Sequence, residues 1–221
     1  MIPPGANAAF VWRMEDVLTV YERPYDPLHP LICMDELPKP LRADARPPVP
    51  RAPGRAERVD YEYERHGTAN VFLFCEPLQA RRWVTVTARR TRADWAHQIQ
   101  ELVDVHCPNA ARITLVCDNL NTHTPAALYE AFPPAEAKRL ADKLEIHYTP
   151  KHGSWLNIAE IELSVLGRQC LDRRIPDLAT LQAEGAAWQA RRDAEGGRVD
   201  WRFTTDQARH KLKRLYPSLH V

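Results

Sequence analysis

Apolar residues recur at helical spacing near the start of the chain. Phe10, Val11, Met14, Val17, Leu18 and Tyr21 share one face over residues 8–21 and predict an amphipathic helix. Prolines at 24, 27 and 30 end it. The run LICM follows and closes on Asp35, which reads as a strand buried on both faces. VDYEYE, NVFLFCE and RRWVTVTA then predict three further strand segments, an antiparallel meander paired with the first strand. TRADWAHQIQELVDVH is a helix whose apolar face carries Trp95, Ile99, Leu102 and Val103, with Thr91 or Asp94 in its cap. RITLVCD is a second buried strand ending on Asp118. Helical signals in THTPAALYEAF and PPAEAKRLADK precede the alternating strand LEIHYTP. WLNIAEIELSVLGRQCL is the last core helix, another spans roughly 177–194, and a short basic helix capped by Thr205 or Asp206 closes the chain. Antiparallel strands first, then strands separated by helices, define an α/β fold with a mixed sheet and helices packed on it.

One segment breaks the pattern. Residues 38–58 hold six prolines and six basic residues against two acids, a composition that predicts an extended or mobile surface loop. Elsewhere the composition is that of an ordinary globular protein, with 44% apolar and 27% charged residues in 221. The net charge is +1, so a nucleic-acid footprint has to be local. The 38–58 loop and the tail residues Arg209, Lys211, Lys213 and Arg214 are the candidate basic patches. Neither a membrane-length apolar run nor a signal peptide is apparent, so no membrane partner is expected and the expected location is cytoplasmic. Five scattered cysteines without a CxxC pair predict reduced, buried thiols and no zinc site.

The candidate chemistry lies in acids at element ends. Asp35 and Glu36 follow the first strand. Asp118 opens DNLNTHT, where six of seven residues are polar, more than a helix cap requires. In the last core helix, Leu156, Ala159, Leu163, Leu166 and Cys170 form one apolar stripe and Ile158, Ile161 and Val165 a second, predicting burial on two faces. Asn157, Glu160, Ser164 and Gly167 lie in one seam between them, Glu162 and Gln169 in the other. A carboxylate in such a seam needs a cation. The spacing does not choose between Glu160 and Glu162, although the seam with Asn157 and Ser164 is the more polar. Three carboxylates are hard oxygen donors suited to Mg²⁺ or Mn²⁺. Two such ions could serve phosphodiester chemistry. Around them, Asn119, Asn121, His123 and Asn157 could hold a hydroxyl, a water or a DNA strand. In KHGSW, Lys151 and His152 could hold a phosphate and Trp155 stack a base. The alternatives are that His123 belongs to a cap and Trp155 to the core.

The stretches CMDE, LVCDNLNTHTPAALYEAF and LEIHYTPKHGSWLNIAEIELSVL, with VYERPYDPLHP, the 46–74 stretch and DWRFTTDQARHKLKRLYP, resemble the catalytic domain of mariner-type insertion-sequence transposases of the bacterial IS-six-thirty group. The resemblance implies a ribonuclease H-like fold, as in retroviral integrases. It also implies an Asp-Asp-Glu (DDE) triad at Asp35, Asp118 and Glu160 binding two divalent ions, which names Glu160 through the N-x-x-E pattern Asn157–Glu160. DNA cleavage at element ends and strand transfer into target DNA, commonly at TA, is the implied activity, in a bacterial, nucleoid-associated setting. From Asp118 to Glu160 is 160 − 118 = 42 positions, longer than the tightest family spacing, and FPPAEAKRL supplies the extra length. About 30 residues precede the Asp35 strand, too few for the family's helix-turn-helix region. The organisation expected is an arm over 1–28, left from the linker after that region, a catalytic domain over 29–195 and a basic tail over 196–221. Recognition of element ends would then come from a homodimer or a partner chain. The rival readings are a truncated relic that binds DNA or the full-length enzyme without catalysis, and another ribonuclease H-like nuclease.

Overall fold

The computed structural model describes residues 2, 5–56, 58 and 60–218. Five strands form one mixed sheet in the order β3-β2-β1-β4-β5. The strands are β1 (Leu31–Asp44), β2 (Tyr63–Glu76), β3 (Arg81–Thr87), β4 (Ile113–Cys117) and β5 (Leu144–Tyr148). β1, β2 and β3 run antiparallel, whereas β1–β4 and β4–β5 are parallel pairs. The antiparallel start with parallel additions is the predicted mixed sheet.

Side chains alternate across it, as the pleat dictates. Cys33, Val71, Leu73 and Val116 face α1 (Ala8–Tyr21), α5 (Ile158–Leu166), α6 (Leu178–Ala194) and α7 (Thr205–Lys211) in one core. Ile32, Met34, Phe72, Leu115 and Cys117 face α2 (Arg92–Glu101), α3 (Pro125–Ala131) and α4 (Pro134–Asp142) in the other. Gly185 lets α6 approach β3 closely, because a Cβ there would stand 3.2 Å from the Val84 side chain. All five cysteines are buried and free. α1 and α7 share the first core, and Arg209 of α7 pairs with Glu15 of α1 at 2.8 Å. Among the described residues no helix is long and apolar enough to cross a membrane.

Four expectations need correction. First, part of the proline-rich segment is strand. β1 continues through Pro38 and Pro40 to Asp44, paired with Asn70, Thr68 and onward to Tyr63. β4 leaves β1 after Cys33, so this stretch has a free edge. Both prolines fall at one strand parity, where the missing N–H faces that edge and costs the ladder nothing. A bulge between Pro40 and Arg42 then turns the strand. Second, the VDYEYE and NVFLFCE signals are one strand. β2 starts at Tyr63, and Val59 lies outside the described residues. Third, α2 and α5 pass into π turns where the sequence predicts continuous helices, at Leu102–His106 after α2 and Gly167–Leu171 after α5. Fourth, α5 is not buried on two faces. Ile161 is 40% exposed and Ser164 is at the surface, whereas Glu162 is fully buried.

Candidate active site

The parallel β1–β4 ladder fixes where the first two acids sit. Leu31 pairs with Thr114 and Cys33 with Val116, an offset of 114 − 31 = 83. Asp35 and Asp118 share it, since 118 − 35 = 83. They are level, two residues past the last pair, Cys33 and Val116, where β1 and β4 separate at the carboxyl end of the parallel strands. Ligands bind in such crevices in open α/β sheets. Asp35 therefore lies within β1, not at its end, because β1 goes on to pair with β2 alone.

Asn157 carries α5 to this point. Its Oδ1 accepts the Ala159 N–H at 3.1 Å and caps the helix. Its Nδ2 donates to the Met34 carbonyl at 2.8 Å and to Asp35 Oδ2 at 3.3 Å. One buried amide thus caps α5, ties it to β1 and orients Asp35. Glu160 lies in the first turn of α5, three residues after Asn157. Asp35 Oδ1 also accepts the Glu36 N–H at 2.8 Å. Burial pushes the Asp35 carboxyl up to about 7, with the charges of Asp118 and Glu160 adding to the effect. The charges of Asp118 and Glu160 are thus both felt at Asp35.

Asp118 is held from the other face of the sheet. His123 is fully buried; its Nδ1 lies 2.6 Å from Asp118 Oδ1 and its Nε2 lies 2.8 Å from Glu36 Oε1. Burial alone would lower the His123 pKa. Hydrogen bonds to Asp118 and Glu36, with their charges, outweigh that and raise it to about 9. The ring is then an imidazolium, and both nitrogens donate. Trp95 stacks on it at 5.9 Å, and the Tyr148 hydroxyl donates to its backbone carbonyl at 2.7 Å. Glu36 Oε2 is buried without a hydrogen bond, 3.7 Å from Arg90 Nη1. Sequence reasoning gave no role to Glu36 or Arg90. Strand alternation held the signal for Glu36, because the residue after Asp35 must point to the opposite face, where His123 lies.

Glu162 has a different task. Its Oε2 accepts from Arg82 Nε at 2.7 Å and its Oε1 from Arg82 Nη2 at 3.1 Å, with Arg192 adding bonds of 3.3 and 3.2 Å. Burial opposes its charge, but these arginines hold its carboxyl below the usual range. Glu162 is thus closed off by guanidinium groups, and of the two it is Glu160 whose charge acts on Asp35.

The remaining sequence candidates divide. Asn119 and Asn121 are exposed on the loop after β4, beside Asp118. Lys151 and His152 are exposed in the turn after β5, His152 with a left-handed φ of 66°. Trp155 is not free to stack a base. Its ring packs against Trp201 at 6.5 Å and Phe203 at 6.1 Å, in the first core.

Three carboxylates, Asp118 fixed through one oxygen and Asp35 through both by neighbours, offer hard oxygen donors to a divalent cation. The mutual charge repulsion at Asp35 is of the kind a cation relieves. By donor chemistry the residues fit such an ion. Among the described residues, however, no three His, Cys, Asp or Glu side chains are gathered into a group able to hold one ion jointly.

The family model described as a DDE superfamily endonuclease matches residues 30–182. No curated protein matches the sequence. Among solved structures, the Mos1 transposase paired-end complex with left transposon end is similar at 15% identity and a TM-score of 0.59, over 89% of this chain and 60% of that one. The mariner Mos1 paired-end complex with Mg is similar at 15% identity and a TM-score of 0.60, over 99% and 66%. The catalytic domain of Mos1 mariner transposase is similar at 14% identity and a TM-score of 0.57, over 86% and 85%. At such identities the likeness is one of fold, the ribonuclease H-like fold expected from the sequence. The chain spans about 60% of the first of these transposase chains.

Proposed function

Because the chain belongs to the DDE superfamily endonucleases, we propose that it is a transposase catalytic domain that cleaves DNA strands and transfers them to target DNA. What supports this reading is that the buried Asp35 lies level with Asp118 where β1 and β4 part, and that the charges of Asp118 and of Glu160 in the first turn of α5 both act on it. Asp35, Asp118 and Glu160 would hold two Mg²⁺ or Mn²⁺ ions. Such ions supply Lewis-acid stabilisation at a phosphate and activate a water or 3′ hydroxyl.

The protein's own part in this reading is to hold oxygens in place. Asn157 fixes Asp35, and the Glu36–His123 pair fixes Asp118 Oδ1 and leaves Oδ2 for a ligand. Asn119, Asn121 and Lys151, at the surface beside the cluster, are the residues to contact the DNA strand. In the same reading residues 29–195 are the catalytic domain, and recognition of element ends falls to a helix-turn-helix region, supplied by a partner chain or within a homodimer.

The test is nicking of supercoiled plasmid by the purified chain. Wild-type protein is expected to nick with Mg²⁺ or Mn²⁺ and to stop with chelator. Asp118→Asn should lower the rate on the order of 10³-fold, the worth of several kcal/mol of metal-centred stabilisation. Undiminished Mg²⁺-dependent nicking by Asp118→Asn would show that another site does the chemistry.

A further inference from the structure

Two surface lines lead away from the carboxylate cluster in the same direction. Along β1, residues of one parity follow Asp35 as Leu37 and Lys39, on the face toward α5. Along α5 and the π turn that follows it, Ser164 and Arg168 come after Glu160 at four-residue spacing. Each line runs from acid to cation. Lys39 is four residues from Asp35, about 13 Å at ~3.3 Å per residue. Arg168 is eight residues from Glu160, about 12 Å at ~1.5 Å per residue. The two lines form the walls of one open cavity, lined by Leu37, Lys39, Ser164 and Arg168.

This cavity continues into two more. One holds Lys39, Arg42 and Arg173, and the other Arg168, Arg173 and Arg191. Arg173 pairs with Glu184 across the second. Lys39 donates only to the carbonyls of Leu171 and Arg173, and Arg168 only to the Ser164 hydroxyl. Among the described residues Lys39, Arg168 and Arg191 form no ion pair. Asp172 is the one acid of the groove not in an ion pair. In a chain of net charge +1, this is a local excess of positive charge, about 12–13 Å along β1 and α5 from the acids. Burial raises the Cys170 thiol at its floor, with Glu184 adding, while Arg173, Arg191 and Lys39 together pull the other way, so their charges converge there.

We propose that this groove, walled by Lys39 and Arg168 and extended by Arg191, is a binding track for the phosphate backbone of duplex DNA as it leaves the carboxylate cluster. The inference rests on the DNA-cleaving reading above and adds a path to it. At ~3.4 Å of axial rise per phosphate, the 12–13 Å from acids to cations spans about four backbone steps. A duplex engaged at the acids would therefore lie over the groove. Unpaired guanidinium and ammonium groups bind such phosphates without reading sequence.

The test measures fluorescence anisotropy of a labelled duplex in metal-free buffer across a salt series, so that binding is read apart from cleavage. Arg168→Glu with Arg191→Glu changes two exposed side chains and should leave the thermal melt unchanged. It is expected to weaken binding about tenfold near 0.1 M salt and to flatten the log–log salt slope by about 1.8, at ~0.9 per lost phosphate contact. A control of equal charge, Arg112→Glu with Arg198→Glu at the opposite end of the sheet, should change neither value by as much. Wild-type binding that the groove variant leaves intact, or that both variants weaken equally, overturns the track while the cleavage reading stands. No wild-type binding at any salt overturns both.

Discussion

Replacing Asp35 by asparagine is expected to end metal-dependent nicking and, in the same protein, to raise the stability of the metal-free chain at pH 8. Both effects follow from one carboxyl. Its pKa in the fold is about 7, against an ordinary 3.8, chiefly through burial, with Asp118 and Glu160 adding. A carboxyl with a raised folded-state pKa opposes folding wherever it is ionised in the unfolded chain. The cost is absent below about pH 4, grows as pH rises toward 7 and is complete above it. The gap of 7 − 3.8 = 3.2 units corresponds to an upper bound of roughly 4 kcal/mol. Asparagine keeps an oxygen for the Glu36 N–H and carries no charge. At ~2–4 °C per kcal/mol for a domain of this size, the melting temperature should rise by several degrees at pH 8 and hardly change at pH 4. Wild-type affinity for Mn²⁺ should show the counterpart. Protons compete for the same carboxyl, so binding should weaken about tenfold from pH 8 to pH 6. A melting temperature unmoved by Asp35→Asn at pH 8, with Mn²⁺ affinity independent of pH, would remove Asp35 from the site.

The second large effect separates two neighbouring acids. Glu162→Gln should destabilise the fold by about 3–5 kcal/mol, the cost of stranding a buried charge by removing its partner. The charge is Arg82, fully buried, whose guanidinium meets both Glu162 oxygens while Asp193 takes Nη1 at 3.0 Å. Arg192 would lose its carboxylate too. Glu160→Gln, in a half-exposed first turn, should leave the melting temperature within about a degree and abolish nicking. Urea denaturation and plasmid nicking on the two variants give opposite patterns if the roles are assigned correctly. Loss of activity with unchanged stability in Glu162→Gln would reverse them.

The sequence carried the sheet and most helices because those signals are local. ITLVC could only be a buried strand, and the polar run after it marked Asp118. What failed depended on neighbours in space. Pro38 and Pro40 read as loop by composition, yet both sit in a strand whose β4-side neighbour has ended. The helical wheel of α5 treated two apolar stripes alike, although only one meets the sheet, and Ile161 stays exposed. It could not rank Glu160 and Glu162 because the deciding group, Arg82, comes from β3, 80 positions away. Trp155 was open to two uses until Trp201 and Phe203 of the C-terminal segment took its ring faces. The Glu36–His123–Asp118 bridge joins residues 87 and 5 positions apart, and it needed the register of β1 on β4 to be seen.

The central claim is that Asp35, Asp118 and Glu160 close on divalent ions. Anomalous scattering from crystals of the chain soaked in Mn²⁺ tests it most directly. The account predicts manganese peaks within ligand distance of all three carboxylates, lost in Asp118→Asn crystals under the same soak. Manganese bound elsewhere on the chain, with the three acids still apart, would contradict it.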